Sequence, residues 1–297
     1  MLQFFIDTLL RTTDLALIAL GLSMLYGLVK FPNVAHVQYA MCGAFLAYAG
    51  HSAGAPLAAA LALASALTGL ITLALQRLVF KRLLQGGPAI AMIGSLAIAM
   101  LLVAGVQGIA GSFPRMFSLP SMDPVVIGAA RITPVQLGFC ATTMALLLLF
   151  VGLLFRTRAG RAMRALASNP MLAQACGLDA QRITYAVTFI SGAVAGLGGA
   201  MLALSTGAHI NLGYDLLLPV FAAAILGGLG NPVGAVAGAL LIALTETIVT
   251  HLDFGPLVGQ ELRFLPVAYI GAASFLILLL TLLFKPHGLF GAEVRRV

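Results

Sequence analysis

Residues 183–214 read ITYAVTFISGAVAGLGGAMLALSTGAHINLGY, a stretch without Asp, Glu, Lys or Arg. One charged residue, Asp215, separates it from a second uncharged run at 216–245. About 20 apolar residues cross a bilayer as a helix, so each run is long enough to span. Further uncharged runs lie at 31–76, 83–114, 132–155 and 264–284. The sequence therefore predicts an all-α, polytopic transmembrane helical bundle that forms a single transmembrane domain over residues 1–297.

The composition and the placement of charge support a membrane protein. Hydrophobic residues make up 61% of the chain, charged residues 8%, and the mean hydropathy is +1.07. Soluble domains are nearer half apolar and a quarter charged. The net charge of +7 would suit nucleic acid, but the basic residues collect in short segments between the apolar runs. Three clusters hold most of them: Arg77, Lys81 and Arg82; Arg156, Arg158, Arg161, Arg164 and Arg182; and Lys285, Arg295 and Arg296.

Clusters of Lys and Arg beside membrane spans mark the cytoplasmic side. We therefore expect the lipid bilayer, and no nucleic acid, to be the partner of these basic residues. The connections at 112–131 and 252–263 are predicted to be external. Placing all three clusters inside requires three crossings before Lys81 and an even number between Arg182 and Lys285. This gives about eight or nine spans and an external N-terminus.

Two segments predict broken or re-entrant helices. FPNVAHVQ at 31–38 interrupts an apolar run with a proline and three polar residues. The apolar piece at 216–229 is short, yet the parity of crossings requires it to span, as a broken or tilted helix. Non-helical backbone at membrane depth is tolerated only where it lines a cavity or is buried in protein.

The polar segment 156–182 is predicted to be a cytoplasmic loop that carries a short helix. Asn169 suits the N-cap, Pro170 the first turn, and Gly177 a left-handed C-terminal cap. The two turns between these caps are too short to be stable alone. Met171, Leu172 and the adjoining Ala173 would lie on a capped helix flanked by arginines. Such an exposed helix is typical of a site that binds a soluble partner protein.

Polar residues within the apolar runs are candidates for a translocation pathway. Glu246 is an ionisable group inside such a run, which makes a functional role the first hypothesis. The alternative is an interfacial carboxylate or a structural hydrogen bond to a neighbouring helix. Asn33, His36 and Gln38 are the next candidates, because interrupted helices border solute paths in transporters. Their alternative is a polar turn at the membrane interface.

Glycines recur at positions that favour close helix packing. GAVAG occurs at 192–196 and again at 234–238, so Gly192 and Gly196 repeat the spacing of Gly234 and Gly238. Gly230 extends the second series by four residues, which predicts one shared helical face. Small residues at this spacing let helix backbones approach closely in lipid. Either packing within the chain or an interface with another subunit would use such a face.

Signatures of enzymes are lacking. The sequence contains no P-loop, HExxH or GxSxG motif, so no catalytic residue and no ATPase of its own is predicted. The histidines and Glu246 are too scattered to predict a metal site. Cys42, Cys140 and Cys176 form neither a disulfide framework nor a CxxC pattern. We expect no cofactor to be bound by this chain.

Four stretches resemble the permease subunits of branched-chain amino acid ABC importers, the Liv type, and especially the shorter of the two paired permeases. They are LIALGLSMLYGLVKFPNVAHVQYAMCGAFLAY (17–48), GRAMRALASNPMLAQACGLDAQRI (160–183), AAAILGGLGNPVGAVAGALLIALTE (222–246) and KPHGLFG (285–291). Two departures are Val37-Gln38, where the family commonly has Gly-Glu after the histidine, and the lack of acidic residues around 168–173. Both weaken the transfer of substrate specificity.

The resemblance implies a bacterial cytoplasmic (inner) membrane protein. It implies a homologous second permease, two ATP-binding subunits that use ATP, and an extracytoplasmic solute-binding protein as partners. Residues 169–178 would transmit the motion of the ATPases. An ion-coupled secondary amino acid transporter or channel is the competing hypothesis, and it would make Glu246 essential. The capped loop favours the importer.

Overall fold

The computed structural model describes residues 1–119, 123–128, 130–251, 270–285 and 288–290. Long helices dominate this part of the chain, which confirms the predicted polytopic helical bundle. The helices are α1 (Leu2–Val29), α2 (His36–Ser52), α3 (Leu57–Leu75), α4 (Lys81–Leu83), α5 (Pro88–Ala110), α6 (Pro134–Arg156), α7 (Arg158–Ser168), α8 (Pro170–Ala175), α9 (Ala180–Thr206), α10 (Leu212–Gly227), α11 (Pro232–His251) and α12 (Ile270–Phe284).

Six of the helical segments are long and apolar enough to cross a membrane. They are α1, α5, α6, α9, α11 and the continuous segment Leu57–Gly86, in which α3 runs through a π-helical turn at Gln76–Phe80 into α4. The shorter apolar helices α2, α10 and α12 complete the set. The described spans therefore agree with the prediction of about eight or nine.

The centre of the bundle is formed by α1, α9 and α11, with α2 and α10 packed against them. These helices are buried on several faces: Leu15, Ile18 and Leu22 of α1 are each no more than 1% exposed. By contrast, α5, α6 and α12 present large apolar side chains outward, as at Ile93, Leu148 and Phe284. Helices at the rim of a membrane bundle need such apolar faces toward lipid or another subunit.

The predicted break at 31–38 is present and lies deep in the protein. The chain leaves α1 at Lys30, whose φ is 56°, and α2 begins only at His36. His36 Nε2 lies 3.2 Å from the carbonyl oxygen of Ile18, about 16 Å along α1 from its last residue at 1.5 Å per residue. The non-helical segment is buried in protein, since Phe31 is 1% and Asn33 2% exposed. α2 therefore starts within the depth of the bundle.

Close helix approaches occur at the predicted glycines. A Cβ on Gly196 would come within 2.6 Å of Thr68 on α3, and one on Gly192 would overlap Thr72. Gly234 and Gly238 meet backbone atoms of α10 at Gly227 and Ala223. These contacts lie within the chain and join α9 to α3, and α11 to α10.

Gly230 departs from the predicted helical face. It precedes α11 in a turn with φ of 90°, where a side chain would be strained, and it packs against Gly27 of α1. The four-residue spacing of the glycines therefore extends beyond the first residue of α11, Pro232, so Gly230 does not share the helical face of Gly234 and Gly238.

The described residues also include a short antiparallel hairpin in the loop before α6. It is formed by β1 (Val125–Ile127) and β2 (Ala130–Ile132).

Candidate functional sites at the two ends of the bundle

A cavity of about 740 Å³ lies at the end of the bundle that holds the N-terminal half of α1. Its wall is shared by α1, α9, α10, α11 and α12, together with the connection between α9 and α10. The lining residues are Arg11, Leu202, Thr206, His209, Leu212, Tyr214, Asp215, Leu216, Leu218, Pro219, Glu246, Ile270 and Gly271. Volumes of 300–1,000 Å³ are typical of small-molecule sites. Glu246, a predicted pathway residue, is therefore placed in a cavity wall.

Glu246 is held by two neighbouring helices. Arg11 Nε of α1 donates a hydrogen bond of 2.6 Å to Glu246 Oε2, and Ser274 Oγ of α12 donates to Glu246 Oε1. The carboxylate is only 2% exposed. A buried charge of this kind is stable only when paired and hydrogen-bonded. The structural hydrogen bond considered as the alternative for Glu246 is thus present, together with an ion pair and an open cavity.

Two contacts between aspartate and histidine lie at the same end of the bundle. Asp7 Oδ2 lies 3.2 Å from His251 Nε2, so a second contact joins α1 to α11 about one turn from Arg11. His209 Nε2 lies 3.2 Å from Asp215 Oδ2, and its Nδ1 lies 3.1 Å from the carbonyl oxygen of Gly207. Both ring nitrogens of His209 therefore face oxygen atoms.

Asn33, His36 and Gln38 lie behind the cavity wall and do not line it. All three are at most 2% exposed. Asn33 Oδ1 accepts a 3.1 Å hydrogen bond from the backbone N–H of Ala35, the residue before α2. Gln38 packs against Gly213 in the first turn of α10. Their role in translocation stays a prediction. In the structure they are buried at the start of α2, where Gln38 contacts α10.

The short helix at the opposite end has the predicted caps. Asn169 Oδ1 accepts a 3.0 Å hydrogen bond from the N–H of Leu172, Pro170 occupies the first turn, and Gly177 has a φ of 84°. Met171 is 84% and Leu172 61% exposed. Ala173 differs, since it is 4% exposed and faces the bundle.

The arginine-rich arm before this helix is itself helical. α7 (Arg158–Ser168) begins at Thr157, whose hydroxyl accepts from the N–H of Gly160. Lys30 Nζ, at the end of α1, donates a 2.9 Å hydrogen bond to the carbonyl oxygen of Ala167. The last turn of α7, just before α8, is therefore tied to the inner end of α1.

Arg11 and Ser274 are the functional candidates that sequence reasoning missed. The first long apolar run of the sequence begins only after Asp14, so Arg11 lies outside the stretch that predicts a span. The available signal was the spacing of Asp7, Arg11 and Asp14, which are four and three residues apart and share one face of a helix. Among the residues that the structure describes, no three His, Cys, Asp or Glu side chains form a possible metal site.

Long apolar helices, a cavity with paired charges at one end and an exposed capped helix at the other define a multi-pass membrane protein of the transport class. Comparison with known proteins agrees. The chain belongs to the family described as "Branched-chain amino acid transport system / permease component", whose model matches residues 4–284. It is therefore a membrane-spanning permease.

Three relatives illustrate the family. The probable branched-chain amino acid transport permease protein LivH of Methanocaldococcus jannaschii is 30% identical, over 95% of this chain and 90% of the relative. The high-affinity branched-chain amino acid transport system permease protein BraD of Pseudomonas aeruginosa is 29% identical, over 100% of this chain and 98% of the relative. The nucleoside ABC transporter permease protein NupC of Lactococcus lactis subsp. cremoris is 32% identical over 41% of this chain and 39% of the relative.

Proposed function

We propose that this chain forms half of the translocation pathway of an ATP-binding-cassette importer for branched-chain or related aliphatic amino acids. In this proposal it pairs with a homologous permease in a bacterial cytoplasmic membrane. Two ATP-binding subunits and an extracytoplasmic solute-binding protein complete the importer. ATP is bound and hydrolysed by the partner subunits, and this chain itself holds no cofactor and has no enzymatic activity.

The observation that carries the proposal is the exposed helix α8. Two neighbouring apolar side chains, Met171 and Leu172, stand out from the protein between caps that fix both ends of the helix. A two-turn helix has little stability of its own, so these caps are needed to hold its shape. Clustered apolar side chains on a rigid element fit a groove on a soluble partner, as in other helix-in-groove interactions.

The full-length relatives named LivH and BraD favour branched-chain amino acids as the substrate. The partial match to a nucleoside permease shows that related sequences serve other solutes. For that reason the amino acid itself has to be argued from residues of this chain.

The test is affinity purification of the tagged chain from its native membrane, with ATPase activity measured in the eluate. Met171→Asp is expected to remove the co-purifying ATP-binding subunits and at least 90% of the ATPase activity. A carboxylate at this position would be desolvated in an apolar groove, which costs several kcal/mol. The second permease should still co-purify, because Met171 is not part of the outward apolar faces of α5, α6 and α12.

Two control variants make the result specific. Met171→Leu keeps an apolar side chain and should retain the complex, while Gln181→Glu adds the same negative charge in the first turn of α9 and should also retain it. The eluate of the unmodified chain can also be reconstituted into vesicles. Amino acid transport by such vesicles without any ATP-binding subunit would contradict the importer and favour a secondary carrier.

A further inference from the structure

We propose that the cavity between α1, α10, α11 and α12 binds the transported amino acid itself, with Arg11 facing the substrate carboxylate, Asp215 facing its ammonium group, and the leucine-rich wall of α10 holding its aliphatic side chain. This inference rests on the proposed function and adds the residues that recognise the substrate.

The polar part of the cavity carries charges of both signs within one wall. Arg11 uses its Nε for Glu246, and its Nη1 lies 3.9 Å from Asp14. Within the described residues its Nη2 has no hydrogen-bond partner. A guanidinium offers five N–H donors in a planar fork, which suits a second carboxylate. The arginine can therefore hold Glu246 and still receive the carboxylate of a ligand.

The same wall also offers an exposed acidic group. Arg11 holds Glu246, whose side chain is 2% exposed, and its Nη1 lies 3.9 Å from Asp14. Asp215, whose side chain is 67% exposed, adds a carboxylate at the mouth, where it lies beside His209. A ligand that brings one ammonium and one carboxylate leaves the net charge unchanged and satisfies groups of both signs. A zwitterion is such a ligand, whereas an uncharged solute of the same size is not.

The remaining lining is mostly apolar. It includes Leu202 from α9, Leu212, Leu216, Leu218 and Pro219 from α10, and Ile270 from α12. Leu218 is 45% exposed, whereas Leu216 is 2% exposed. Burial of an aliphatic side chain against such a wall contributes about 25 cal/mol per Å². Paired charges beside an aliphatic wall match an amino acid with an aliphatic side chain.

The connection between α9 and α10 forms part of the cavity wall. α9 ends at Thr206, and the chain turns back at Gly207 before α10 begins at Leu212. The backbone of Ala208 pairs with that of Arg115, which anchors this connection to the neighbouring loop. Thr206 is exposed at the cavity mouth, where it can report occupancy.

The first experiment measures occupancy in the assembled importer. Thr206→Cys is made in a Cys176→Ser background, which removes the exposed native cysteine, and its modification by a charged methanethiosulfonate reagent is timed. L-Leucine at 10–50 mM is expected to slow this modification at least fivefold by steric protection. Leucinamide, which lacks the carboxylate, and 4-methylpentanoate, which lacks the ammonium, should slow it less than twofold. Ser112→Cys, exposed outside the cavity, is the control and should be unaffected by all three.

The second experiment separates substrate recognition from the structural ion pair. Arg11→Gln alone leaves Glu246 without its cation and can reduce folding. The double variant Arg11→Gln with Glu246→Gln removes both charges of the buried pair and is expected to restore membrane abundance. Uptake of leucine should nevertheless stay at least tenfold below that of the unmodified importer, because no cation at position 11 faces the substrate carboxylate.

The outcomes are distinct. No protection of Thr206→Cys by leucine in an importer that transports leucine overturns the inference and leaves the proposed function standing. Recovery of uptake in the double variant together with its abundance shows a purely structural pair and likewise overturns it. An unmodified importer that transports no aliphatic amino acid contradicts the proposed function, and the inference falls with it.

Discussion

The two ends of this bundle solve opposite problems. At the end with the cavity, α1 and α11 are joined by Arg11–Glu246 and Asp7–His251, and the buried carboxylate of Glu246 has its partner within the chain. At the other end, α8 leaves Met171 and Leu172 exposed, although it is capped at both ends. The proposed importer would use this difference, with a solute site at the first end and a contact for an ATP-binding subunit at the second.

α1 connects the two ends physically. It carries Arg11 near its start and Lys30 at its end, where Lys30 holds the last turn of α7. A displacement of α8 by an ATP-binding subunit would therefore reach α1 directly. Whether the ends differ as described can be tested by substitutions that damage one and spare the other.

The largest effect is expected at the cavity end. Arg11→Gln leaves the carboxylate of Glu246 buried without a counter-charge, which costs on the order of 3–5 kcal/mol. Thermal unfolding of the purified chain in detergent should shift down by several degrees, and membrane abundance should fall. The double variant Arg11→Gln with Glu246→Gln removes both charges and should recover most of that loss. Equal instability of the single and double variants would contradict a paired charge at this place.

Much of this comparison was accessible from sequence, but unevenly. The caps of α8 involve residues only two or three apart, so Asn169, Pro170 and Gly177 predicted the helix correctly. Arg11 and Glu246 are 235 residues apart, and neither their sequence nor their spacing shows that they meet. In addition, the first apolar run begins after Asp14, so the sequence does not show that the polar residues before it belong to the same helix, α1. The same limit explains Gly230, since periodicity alone does not reveal that a turn precedes α11.

The second largest effect is expected at the end of the bundle that carries α8. Gly177→Val places a β-branched residue at a φ of 84°, which costs about 1–3 kcal/mol in local backbone strain. No atom lies within 4 Å of the added Cβ, so a clash does not explain the effect. Amino acid uptake should fall at least tenfold, while membrane insertion and the unfolding temperature stay near those of the unmodified chain.

Gly177→Asn is the matched control for this variant. Asparagine tolerates the left-handed region better than other side chains, so uptake should return to at least half of the unmodified value. Normal uptake by Gly177→Val would show that the end of α8 need not be held in this shape.

The smallest effect is expected for the link between the two ends. Lys30 adopts a φ of 56°, which is unfavourable for residues other than glycine. In this conformation its Nζ donates a hydrogen bond to the carbonyl oxygen of Ala167. Lys30→Gly removes that strain and the hydrogen bond together, so thermal stability should change by less than about 1 kcal/mol.

The expected effect of Lys30→Gly is on the coupling of ATP hydrolysis to import, because α7 and α1 would no longer move together. We expect the ATP hydrolysed per amino acid imported to rise two- to threefold in proteoliposomes. Lys30→Asn keeps a residue suited to this backbone but lacks the reach, and it should behave like Lys30→Gly. If both variants import with unchanged stoichiometry, α1 does not carry the motion, and the contact of Gly230 with Gly27 becomes the next path to test.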